Sequence, residues 1–162
     1  MTPRKELFLA VRDKLTAITG IEYVDLHRKQ FGPGNENYTH YHTACLIKIL
    51  PIQWTTMVEH RQEGIATVEV KLYTRDGFAD HILGTTGNSD GLAEIDLIDH
   101  IADGLQFLKG NSFTALQQLA EENVIEDEEA GVVDISIYKL TFSTMVYKVT
   151  APKYSTKKIT LE

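Results

Sequence analysis

Apolar residues recur along this chain at two different spacings, and the changes between them mark out its elements. From Glu6 to Thr19 the residues Leu7, Phe8, Val11, Leu15 and Ile18 fall at intervals of three and four, with Arg12 and Lys14 between them. A stripe of that period predicts an amphipathic helix. Thr2 before Pro3 offers a cap with proline at the first helical position, and Gly20 offers the stop. IEYVDLH, from Ile21, shifts to a period of two and predicts a strand of mixed face. The passage KQFGPGNENYTHYH then places Gly32, Pro33, Gly34 and Asn35 together, which excludes regular structure and makes it the first candidate for a functional loop.

Ala44 to Leu50 is almost continuously apolar, as in a strand buried on both faces, and Pro51 ends or bulges it. In IATVEVKLYTR the residues Ile65, Thr67, Glu69 and Lys71 alternate with Ala66, Val68, Val70 and Leu72. That is the signature of a strand with one buried face. Between the two runs, the stretch carrying Trp54 predicts a hairpin-like connection too long for a two-residue turn. From Leu92 to Lys109 the stripe Ile95, Ile98, Ala102, Leu105 and Leu108, joined by Ile101, predicts the longest helix, with Gly110 as its C-terminal cap. Asn111 or Ser112 then opens a shorter predicted helix through Phe113, Leu116, Leu119 and Ala120.

The final strand region, VVDISIYKLTFSTMVYKVT, is apolar at odd positions Val133, Ile135 and Ile137, then at even positions Leu140, Phe142 and Val146. The change of parity predicts a bulge near Tyr138 and Lys139. Met145, Tyr147 and Val149 keep the second side apolar as well, so the strand is expected to be central or covered by a neighbouring subunit. The element order gives an α+β fold: an antiparallel or mixed sheet of about four strands, with a long helix and shorter helices on one face. Residues 1–150 are expected to form one domain. Residues 151–162, with Lys153, Lys157 and Lys158, form a tail that is flexible or, through alternating Ile159 and Leu161, adds to a sheet edge, its own or a neighbour's.

Composition narrows the function classes. At 162 residues and 43% apolar content the chain supports a core without disulfides, and the lone Cys45 excludes an internal disulfide or a site of paired cysteines. No segment approaches the run of about 18 apolar residues that a spanning helix needs, so no membrane partner is expected. With 23 acidic and 16 basic residues the formal charge is −7, which argues against a basic groove for duplex DNA.

Candidate chemistry is sparse. His40 and His42, two apart, would share a side in extended chain, and His27 is near in sequence; together they could line a metal site or a ligand pocket. No third ligand follows from a recognised spacing. Cys45 lies within an apolar strand run, where a thiol is an inert core group. The glycine loops match no phosphate-binding fingerprint. Glu126, Asp127, Glu128 and Glu129 form a dense run that reads as a solvated acidic loop, because paired catalytic carboxylates need desolvation to separate their pKa values. No catalytic constellation and no cofactor emerge.

The order of ACLIKILPIQWTTM, GIATVEVKLYTR, IDLIDHIADGLQFLKG, the FTAL segment with its acidic stretch and VVDISIYKLTFSTMVYKV resembles the tail-terminator (tail-completion) proteins of long-tailed phages and prophages, over about Arg4 to Val149. The resemblance implies a non-enzymatic subunit of a homo-hexameric ring that caps the tail tube, stops its polymerisation and joins it to the head connector. DNA would pass through the ring without being held, and the protein would reside in the virion tail or, during assembly, in the host cytoplasm. It further implies subunit or partner contacts along the last strand, at Leu140, Phe142, Met145, Tyr147 and Val149, with Phe31, Trp54 and Met57 as anchors. Glu126 to Glu129 would face the lumen or a partner. Two competing classes are a small metal- or ligand-binding domain or enzyme using His27, His40 and His42, and another tube or baseplate component of a phage-derived apparatus.

Overall fold

The structure, a computed structural model, describes residues 1–31, 43–75, 90–124 and 135–150. Its elements run α1 (Pro3–Thr16), β1 (Tyr23–Leu26), β2 (Thr43–Ile49), β3 (Gln53–Val58), β4 (Arg61–Arg75), α2 (Asp90–Leu105), β5 (Gln117–Asn123) and β6 (Ile135–Val149). The fold is α+β, with a mixed sheet of six strands rather than about four.

α1 forms where the stripe predicts it. The Thr2 hydroxyl accepts a hydrogen bond from the Lys5 N–H at 3.4 Å, Pro3 needs no partner for its nitrogen, and Leu7, Val11 and Leu15 are buried. α2 stops at Leu105, short of Lys109. Phe107 takes a left-handed φ of 62°, turning the chain so that the Phe107 N–H meets the Leu116 carbonyl at 2.9 Å. Gly110 is therefore not the helix cap. A Cβ there would lie 2.3 Å from the Phe113 ring, so the glycine admits that ring against the backbone.

The sheet is built around β4 and β6, which pair antiparallel without a break from Arg61↔Val149 to Arg75↔Ile135. On the other flank of β4, β2 pairs with Val68–Thr74 and β3 with Arg61–Ile65, both antiparallel. β2 and β3 are thus nearly one strand, interrupted at Leu50–Ile52 where Pro51 cannot donate to the ladder. β1 adds parallel to β2, and β5 adds antiparallel to β6.

Three local expectations fail for identifiable reasons. The stretch around Trp54 is not a long connection: β3 joins β4 through the two residues Glu59 and His60, with His60 at φ 67°. The segment read as a second short helix is β5, because the edge of β6 offers it a ladder; Phe113 and Leu116 still reach the core, while a bulge between Gln118 and Ala120 accompanies the exposure of Leu119. No bulge interrupts the β4–β6 register at Tyr138 and Lys139. The parity change instead records two cores on opposite faces of the sheet. Even positions of β6 and β4 meet α1 and α2 in the main core, which holds Phe142, Leu140, Val68 and Ile101. On the outer face a smaller cluster gathers Phe31, Ala44, Leu46, Tyr73 and Ile137.

Candidate assembly surface

The outer face of the sheet divides into two ends of different character. At the end near Tyr73, the chain following β1 folds back over it, and Phe31 packs on Tyr73 with ring centroids 4.7 Å apart. At the other end, β3, Arg61–Ile65 and Met145–Val149 form an arm. Cross-strand pairing aligns Ile65 with Met145, Glu63 with Tyr147 and Arg61 with Val149 on this arm. Because alternate residues share a face, Ile65, Met145, Tyr147 and Val149 form one continuous apolar strip. Ile65 is 64% exposed, Val149 74%, and Met145 and Tyr147 38% each. Val58 and Met57, beside the turn, are more than half exposed. An open groove of about 390 Å³ runs beside the strip, lined by Pro51, Gln53, Thr55, Glu63 and Met145 among others.

The sequence-derived contact residues separate on this geometry. Met57, Met145, Tyr147 and Val149 lie exposed on the arm. Leu140 and Phe142 are fully buried against α1 and α2, and Phe31 is buried in the second cluster, so these three serve the protein's own packing. Trp54 is half-buried on the helix side, opposite Gly64, with the Lys148 ammonium 5.9 Å from its ring centroid. Glu126 to Glu129, like His40 and His42, lie outside the described residues. His27 is partly buried just after β1, its backbone N–H bonded to the Ile47 carbonyl at 2.8 Å. Among the described residues, no three His, Cys, Asp or Glu side chains converge on a metal position. Ile65 and Val58 belong to the exposed strip without having been singled out as contacts. The signal for Ile65 is its parity: it shares the face of Thr67, Glu69 and Lys71 rather than that of Val68.

Polar contacts brace the base of the arm. Thr144 is buried and its hydroxyl donates to the Thr114 carbonyl at 2.8 Å, while the Thr114 N–H reaches the Met145 carbonyl at 2.9 Å. The Tyr147 N–H donates to the Ser112 carbonyl at 2.8 Å. The Glu6 carboxylate in turn accepts from the Ser112 hydroxyl and the Asn111 N–H, both at 2.6 Å, tying α1 to the same segment. The Ser112 bond leads in holding the Glu6 pKa below its ordinary value. Elsewhere, burial pushes the Cys45 thiol upward, and burial, with help from Glu121 and Asp99, raises the Tyr138 phenol. The Cys45 thiol therefore stays protonated and unreactive in the core.

No family model matches the chain, and no curated protein matches it. Among solved structures, the fold is similar to a chain in the virion of a native gene transfer agent particle. The TM-score is 0.55 and the identity 16%, with 87% of this chain and 94% of the other covered. At that identity the likeness shows a shared fold over nearly the full length of both chains.

Proposed function

We propose that this protein is a structural subunit of a phage-like particle, acting as a tail terminator. Its copies close into a hexameric ring on the end of the tail tube, stop further tube growth and offer their far side to the head connector. The observation that carries this reading is the exposed apolar strip of Ile65, Met145, Tyr147 and Val149 on a braced β arm. Contiguous apolar surface of this kind marks a docking site. The fold shared with a chain of a virion particle supports a place in such an assembly. A head-to-tail contact that closes on itself produces a ring, and one that presents no second tube-like surface ends polymerisation.

The charge of −7 per chain fits this role, since six copies bring −42 to the assembly. A lumen without basic grip lets DNA pass, because each phosphate neutralised would add salt-dependent affinity and hence drag. In this reading Glu126 to Glu129 face the lumen or a partner, and no catalytic residue or cofactor is required. Light scattering of the purified protein, paired with tube-length measurement in an assembly reaction, tests it. A ring that shortens tubes, lost in Tyr147→Asp without loss of fold, is expected. A strict monomer at every concentration with no effect on tube length overturns the proposal.

A further inference from the structure

We infer that the outer edge of β3 is the seat of the chain's own C-terminal segment, residues 151–162, which adds there as a further antiparallel strand. The sheet has three lateral edges among its described strands, and two of them carry their own protection. β1 is only four residues long and carries Asp25. β5 carries Glu121 and Glu122 and is bulged between Gln118 and Ala120. Short strands, charges and bulges all discourage edge-to-edge pairing. β3 carries no charge: Gln53, Trp54, Thr55, Thr56, Met57 and Val58 are uncharged, all but Trp54 are exposed, and its register shift, between Thr56 and Val58, lies at the turn end and leaves Gln53 to Thr56 in regular pairing. Its inner edge pairs with β4, and no described strand pairs with the other. Beyond β2 that flank is covered by β1, so the bare edge of β3 forms a notch beside it.

The tail starts where it must to fill this notch. The Thr150 N–H donates to the carbonyl of His60, in the β3–β4 turn, at 2.8 Å. From β6 across β4 and β3 to the outer seat is three strand spacings, about 14 Å. Roughly four extended residues cover that distance. Ala151 to Tyr154 would make the crossing, where Pro152 sacrifices no ladder bond, and eight residues, Ser155 to Glu162, remain for the six of β3. β6 and β3 both run toward the turn, so a chain that reverses there meets β3 antiparallel. Thr156, Ile159 and Thr160 suit a strand, and Lys157 and Lys158 give the new outermost strand the charged edge that β3 lacks.

Attachment in the same chain needs no second copy, and the short tether gives the segment a high effective concentration. The inference is therefore independent of ring formation. Thr55→Cys combined singly with Thr156→Cys, Lys158→Cys or Thr160→Cys tests it under mild oxidation, with Cys45 shielded by burial. At least one pair is expected to form a disulfide within a single chain, in the full-length protein and also in the Tyr147→Asp background. Ending the chain at Thr150 in that background should accelerate amide exchange in β3 at least tenfold and increase self-association with concentration. Disulfides that join two chains, truncation that lowers self-association, or unchanged exchange in β3 would each overturn it.

Discussion

Gly64→Ala probes the joint between β3 and the sheet. A Cβ at residue 64 would sit 2.6 Å from the Gln53 carbonyl oxygen and 2.8 Å from Ile52 Cγ2. Gly64 has no left-handed φ, so the cost is steric. The nearer obstacle is backbone and cannot rotate away. β3 must retreat by several tenths of an ångström, weakening the pairing at Gln53↔Ile65 and Trp54↔Gly64. Overpacking of this sort costs about 1–3 kcal/mol. For a chain of this size each kcal/mol lowers Tm by about 2–4 °C, so a fall of roughly 2–12 °C is expected in a thermal melt followed by circular dichroism. Adding Ile52→Ala removes the Cγ2 contact and leaves the oxygen in place, so the double variant should not recover the loss. A Gly64→Ala protein melting within 1 °C of the parent, with β3 amides equally protected, would refute the close approach and the reasoning built on it.

Phe142→Ala should lower stability by about 3–5 kcal/mol in urea titration, because it empties a fully buried core position, whereas Tyr147→Ala should change it by about 0.5 kcal/mol or less while weakening self-association. Glu6→Gln should lower Tm at neutral pH and flatten the acid limb of the Tm–pH curve. The parent's Glu6 has a folded pKa below its ordinary 4.5, so its stabilisation is complete above that value and is lost as pH falls through the lower folded one. Cys45 should resist an aromatic disulfide reagent for minutes in native buffer and react with one equivalent in denaturant; immediate labelling of the native protein would contradict its burial.

Local pattern was sufficient for α1, its Thr2–Pro3 start, the body of α2, the one-sided burial of β4 from Ile65 to Val70 and the break at Pro51, whereas Lys71 and Tyr73, on the side read as polar, are buried as well. Each of those local features depends on neighbours within a few residues, through capping, helical period or the alternation of a pleated strand. The α+β class followed from their order. What came from tertiary pairing was different in kind. Phe113 to Ala120 carries apolar spacing compatible with a helix, and the available edge of β6 drew Gln117–Asn123 into a strand instead. The parity change in β6 looked like a local defect and proved to be two cores on two faces, visible once Ile137 met Tyr73 and Leu140 met the helices.

The same distinction governs the assembly surface. Apolar residues on both sides of β6 were plain in the sequence, but periodicity does not say which side the protein covers for itself. α1 and α2 cover Leu140 and Phe142, the chain after β1 covers Ile137, and Met145, Tyr147 and Val149 remain exposed on the arm. Ile65 and Val58 join them because β4 and β3 bring them alongside. Side-chain chemistry and spacing are properties of the chain, while exposure belongs to the packed whole, since it depends on which distant segment arrives to exclude water.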